Sequence, residues 1–251
     1  MKMRNRFFIY QITFISMFLV LAGSCKKNND NPADTIVDID GNVYHTVTVG
    51  TQTWMVENLK VKHYRMGDPI VNGSSLKRSI SATDTIGVAR AYDNSEVNVE
   101  IYGWLYNWYA VADGRNIAPI GWHVASDAEF KKLVDNQGGD YLRVNGDIIA
   151  GAALKETGIA HWGTTYYPNP GATNISGWNG LPGGTYDAAI SAIYYGIHGA
   201  GSWWTTNTKE GKNPLKEAYC MGLTITDDGA HRGLGVKTSF RSIRCLSDKS
   251  N

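Results

Sequence analysis

Apolar residues are not spread evenly along this chain. Residues 7–22 form an almost unbroken apolar run, interrupted only by Gln11, Thr13 and Ser16. That run is short of the roughly 20 apolar residues a helix needs to cross a bilayer. Residues 26–35, K-K-N-N-D-N-P-A-D-T, then lack any large apolar side chain and predict a flexible tether. From Ile36 onward, short apolar clusters are punctuated by Gly, Asn, Asp and Ser, the pattern of short strands joined by turns.

Within that region, Ile36, Val37 and Ile39 lead into Asp40-Gly41 and then the β-branched stretch 43–49. Asp-Gly between such runs predicts a hairpin, because glycine accepts the positive φ of a tight turn. Gly50-Thr51 predicts a second turn before Trp54-Met55-Val56, and residues 66–100 are weakly patterned, with short strands at most. Residues 102–111, Y-G-W-L-Y-N-W-Y-A-V, form an aromatic block that must be largely buried. The clearest helix start is Ser126-Asp127-Ala128-Glu129. Ser126 caps it, Glu129 reaches back to the Ser126 amide, and both acids suit the positive end of the helix dipole. Phe130, Leu133 and Val134 share one face before Gly138-Gly139 ends the helix, and a second short helix is expected within 147–157. Residues 162–180 read as a long irregular segment. Residues 203–206, 218–226 and 241–246 read as strands, with Asp228-Gly229 turning the chain before the last of them.

The apolar run acquires a meaning from its flanks. Lys2, Arg4 and Arg6 precede it, and the small residues Gly23 and Ser24 follow it, directly before Cys25. A basic start, a short apolar stretch and small residues at one junction define a secretory signal. The string L-A-G-S-C resembles the lipobox of bacterial lipoproteins, although Ala22 stands where leucine is usual. The expectation is a signal peptide over 1–24, lipidation of Cys25, a tether over 25–35 and a folded domain over 36–251. Several acyl chains on one cysteine hold a protein to a membrane stably without a transmembrane helix. Lys26, rather than an aspartate, after the lipidated residue favours the outer membrane, at the cell surface or on its periplasmic face.

Composition narrows the class of partner. The whole chain has 24 Lys+Arg against 23 Asp+Glu; without residues 1–24 the balance is 21 against 23. Neither offers the concentrated basic surface that nucleic-acid binding requires. With 28 Gly, 8 Trp and 14 Tyr, the chain suits a loop-rich, aromatic-cored fold rather than a helical bundle. Once Cys25 is committed to lipid, Cys220 and Cys245 remain. An exported protein folds where disulfides are permitted, so the two are either bonded or buried free thiols, and spacing alone does not decide.

Taken in order, W-M-V-E-N-L-K-V (54–61), the aromatic block 102–111, A-P-I-G-W-H-V-A-S-D-A-E-F (118–130), L-K-E-T-G-I-A-H-W (154–162), G-A-T-N-I-S-G-W (171–178), L-P-G-G (181–184), S-W-W-T-T (202–206) and S-F-R-S-I-R-C-L (239–246) resemble the Fibrobacter succinogenes major paralogous domain. The resemblance spans roughly 36–248, with Ala125 where proline is usual and Phe130 where tryptophan is usual. It implies an α+β domain of the C-type lectin-like kind, a fold shared with formylglycine-generating enzymes: a twisted antiparallel sheet, few short helices and long loops. It implies no particular activity.

No catalytic motif is present: no G-x-S-x-G, H-E-x-x-H, P-loop or G-x-G-x-x-G before a helix. Formylglycine-generating enzymes use a close cysteine pair to bind copper, and Cys220 and Cys245 are too far apart in sequence to match it. His123 reads as a structural residue beside the helix start. Asp227-Asp228-Gly229 reads as a turn rather than a calcium site, which would need six to eight oxygen ligands. No metal and no cofactor are expected. The candidate ligand-binding residues are aromatics of the irregular segments that could stack on sugar rings: Trp162, Tyr166, Tyr167, Trp178 and Trp203. The expectation is a lipid-anchored, non-enzymatic module presenting loops to a glycan or an envelope or surface protein. The alternatives are an accessory envelope lipoprotein contacting only other envelope proteins, and a divergent enzyme related to formylglycine-generating enzymes.

Overall fold

The computed structural model describes residues 35–76, 84–143, 149–163, 169, 171–188, 192–209 and 216–249. Residues 1–24, expected to be a signal peptide, and Cys25, Tyr166 and Tyr167 lie outside the described residues.

In chain order the strands and helices are β1 (Thr35–Val37), β2 (Val43–Val49), β3 (Gln52–Met55), β4 (Val71–Asn72), β5 (Val88–Arg90), α1 (Glu96–Tyr102), β6 (Leu105–Asn107), α2 (Trp108–Val111), β7 (Trp122–Val124), α3 (Asp127–Asp135), α4 (Ala150–Leu154), β8 (Gly183–Asp187), β9 (Ile193–Ile197), β10 (Ala200–Thr208), β11 (Glu217–Thr224), β12 (Ala230–Val236), β13 (Phe240–Arg241) and β14 (Cys245–Ser247). All belong to one unit, Pro32–Asn251. The strands form a five-stranded sheet β1-β2-β3-β14-β7, a six-stranded sheet β4-β5-β6-β13-β8-β9 and a three-stranded sheet β10-β11-β12. Every named pairing is antiparallel except β4 with β5. The fold is therefore mainly β with short helices, an α+β architecture.

The predicted hairpin forms as expected: Val37 pairs with Val43, and the Asp38 carboxylate accepts hydrogen bonds from the Asp40 and Asn42 amides inside the turn. Helix α3 carries the capping box, with Glu129 returning to the Ser126 amide at 2.7 Å, and buries Phe130, Leu133 and Val134. The aromatic block is buried, Tyr106 completely.

Other expectations need correction. Residues 66–100, expected to hold short strands at most, run into α1, which buries Val99 and Tyr102 three positions apart and leaves Val97 and Ile101 exposed. The stretch 241–246 is not one strand. It ends β13 in the six-stranded sheet, crosses through Ser242–Arg244, and begins β14 in the five-stranded sheet. Asp228-Gly229 turns the chain into β12, a strand whose glycines hid it.

The two C-terminal strands are central, not peripheral. β13 lies between β6 and β8, and β14 between β3 and β7. The link between them also binds the third sheet: the Trp204 amide donates to the Ser242 carbonyl at 3.1 Å, and the Ser242 amide to the Ser202 carbonyl at 3.0 Å. One short segment thus joins all three sheets.

Candidate functional site

Arg244 sits on that segment and is fully buried. Its Nε and Nη2 donate to Asn58 Oδ1 at 3.1 and 2.8 Å, and its Nη1 donates to the carbonyls of Met55 at 3.1 Å and Trp178 at 2.7 Å. The guanidinium stacks 4.1 Å from the Trp178 ring centre. Burial disfavours its charge and brings its pKa down to about 9, still cationic at neutral pH. Asn58 Oδ1 also accepts the Trp203 indole N–H at 2.7 Å, and Trp203 meets Trp178 edge-on at 4.9 Å. Trp162 donates its indole N–H to the Gly180 carbonyl at 2.7 Å.

This overturns the expected role of Trp162, Trp178 and Trp203. All three are fully buried and build the core, their indole edges spent on internal partners or packing, so none can stack on a sugar. A glycine-rich frame supplies few large side chains, and its tryptophans are needed inside. The cysteines are likewise settled as two free, buried thiols. Cys220 lies in β11 of the three-stranded sheet and Cys245 in β14 of the five-stranded sheet, so they belong to different layers. Burial pushes the Cys245 thiol well above its ordinary pKa, which makes it unreactive.

The Asp227-Asp228-Gly229 turn does bind a cation, but one from within the chain. Lys155, almost fully buried beside Trp162, points its ammonium at the carbonyls of Asp227 (2.8 Å) and Thr224 (3.2 Å) and at Asp228 Oδ1 (3.2 Å). The oxygens a metal would need are already taken. Among the described residues, no three His, Cys, Asp or Glu side chains stand close enough to hold a metal ion.

One cluster of partly exposed polar groups stands at the start of α3. His123, on β7, receives carboxylates at both ring nitrogens: Glu129 Oε1 at 2.8 Å from Nε2 and Asp248 Oδ1 at 2.6 Å from Nδ1. The bond to Glu129 and then that to Asp248 raise the His123 pKa, so the ring favours the imidazolium with both nitrogens donating. Burial alone would raise Glu129, but hydrogen bonds from His123 and from the Ser126 hydroxyl and amide outweigh it and hold Glu129 at about 2. His123 and Glu129 line a cleft of about 410 Å³ together with Asp113, Asn116, Ser126 and Thr206. Asp113 is itself held at about 2 by hydrogen bonds from Arg115. Sequence reasoning singled out Ser126 and Glu129 as a helix cap and His123 as a structural residue beside it, and placed none of them in a site. It did not single out Asp113, Asn116, Thr206 or Asp248: the first two lie in the stretch just before β7 and carry no motif, and the last two come from distant parts of the chain.

An α+β domain of three sheets, closed by a C-terminal segment and a buried arginine and opening on a polar cleft, is the class this chain defines. It belongs to the Fibrobacter succinogenes major domain family, whose model matches residues 47–247. No curated protein and no solved structure matches it.

Proposed function

We propose that this protein is a lipid-anchored envelope module of the outer membrane that binds a glycan without transforming it, and that the cleft beside His123 is its ligand site. The observation that carries this reading is the state of the cleft's titratable groups. Glu129 and Asp113 are held as carboxylates, and both nitrogens of His123 are engaged. A general acid or base needs a pKa near the working pH, which Glu129 and Asp113 lack, and a free proton path, which His123 lacks with both ring nitrogens bonded to carboxylates; the groups form a polar wall instead. Such a wall, with the exposed Thr206 at its rim, suits the hydroxyls of a sugar. Kinship with the C-type lectin-like fold is part of the same proposal, supported by the mostly antiparallel sheets and short helices. The anchor rests on residues 1–25, as read above.

The test is a glycan array probed with the full-length lipoprotein in detergent, in calcium and in chelator, beside a Thr206→Arg variant that fills the cleft. Selective binding lost in the variant and unaffected by chelator is the expected result. Binding that survives Thr206→Arg would move the site elsewhere. A blank from folded, monodisperse protein would transfer the reading to an envelope protein as partner.

A further inference from the structure

The strand that first emerges from the tether is bordered by apolar side chains in water. Val37, on β1, and Ile39 just beyond it line an open groove of about 230 Å³ whose opposite wall is Ile117, Ala118, Pro119 and Ile120. Ile120 and the neighbouring Met66 are each 79% exposed, and Val37 is 60% exposed. This is not a loose loop tip. Arg65, next to Met66, donates to the carbonyls of Ala118 (2.9 Å), Pro119 (3.0 Å) and Trp122 (2.7 Å), and the Arg65 amide donates to the Asn116 carbonyl at 2.8 Å. One half-buried arginine thus clamps the turn that carries Met66 to the loop that carries Ile120. Single exposed apolar side chains are ordinary, but several gathered on one rigidly held face mark an interaction surface.

We propose that this face, carrying Val37, Ile39, Met66 and Ile120, lies on the lipid bilayer, with its apolar side chains entering the headgroup–acyl boundary. The inference rests on the lipid-anchor reading. Cys25 precedes Thr35 by a short polar stretch with an average span of about 17 Å and a limit of ~35 Å. A domain of this size has a radius of gyration of about 17 Å. The tether is therefore no longer than the domain it holds, and its attachment point, β1, is the side kept nearest the membrane. The exposed apolar residues stand at that side and supply a second, weak contact of the kind that reinforces an acyl anchor.

The test uses the full-length lipoprotein in phosphatidylethanolamine–phosphatidylglycerol vesicles, with a nitroxide spin label at Met66→Cys, Ile120→Cys or, as a control on the edge of the six-stranded sheet, Ile193→Cys. Cys220 and Cys245 are buried and are left in place. Flotation with the vesicles is checked first; protein that stays in solution overturns the anchor and this inference together. In floating protein, the expected result is greater access to oxygen than to a water-soluble nickel chelate at 66 and 120, and the reverse at 193. Equal access to the chelate at all three sites, or loss of access to both reagents at 66 and 120 as a protein contact gives, would overturn the bilayer contact while leaving the anchor intact.

Discussion

At Glu129, burial and hydrogen bonding pull in opposite directions, and the bonds win. The same side chain closes the helix cap and clasps His123, so the two groups respond to pH with opposite signs. The His123 pKa is raised above its ordinary 6.5, so its contribution to stability is complete below about 6.5 and fades as pH rises through the raised value. The Glu129 pKa is lowered from 4.5 to about 2, so its contribution is complete above about 4.5 and is lost as pH falls toward 2. Thermal unfolding followed across pH should show a broad maximum between those limits. His123→Gln should flatten the alkaline side and Glu129→Gln the acidic side; identical profiles for all three proteins would show that the clasp carries no linkage. Loss of Arg244 is expected to cost more than loss of either of these groups, because it is fully buried. Replacing it with leucine removes the donors for the Met55 and Trp178 carbonyls and leaves Asn58 Oδ1 with the Trp203 indole N–H as its partner. The expected loss, measured by urea unfolding, is about 3–5 kcal/mol.

Among the elements, α1 and α4 show where neighbours override local preference. The alternation in E-V-N-V-E-I-Y favours a strand, but the segment is short and its burial is decided by what covers it. Val99 joins the core that contains Trp104 and Tyr106, which fixes a helical spacing. In α4, helix propensity alone would make Gly151→Ala stabilising by up to about 1 kcal/mol. An alanine Cβ there would overlap the backbone of Gly229, in the turn that leads to β12. The substitution is therefore expected to lower the melting temperature. An unchanged or raised value would show that α4 can move away from that turn without cost. Lys155, which follows α4, reaches the same turn, so helix and turn are fixed together from two sides.

For the whole molecule, closure depends on residues 240–247, which complete two sheets and tie in the third. Among the described residues no disulfide assists. Cys220 and Cys245 are expected to react with a thiol reagent only after denaturation, and a reductant should leave the melting temperature unchanged; a reductant-sensitive melting curve would indicate a bond between them. Much of this architecture was legible in local chemistry. The Asp-Gly hairpin, the Ser126–Glu129 cap and the buried aromatic block each follow from a few adjacent residues whose backbone or burial preferences have no competitor. The family, too, was legible in the order of its motifs. The candidate site was legible only where it coincided with the cap. Of its remaining members, Asp113 and Asn116 stand just before β7 without a motif of their own, while Thr206 and Asp248 are brought in from far along the chain, as when β14 is laid beside β7 to carry Asp248 toward His123. Which tryptophans face inward was also beyond the sequence, because exposure belongs to the packing and not to the residue type. The sequence by itself determined the turns, the caps, the family and the expectation of an exported, tethered domain. Only the tertiary structure decided that an arginine occupies the core, that a lysine fills the acidic turn, and that the thiols lie in separate sheets, because each depends on contacts between segments far apart in the chain.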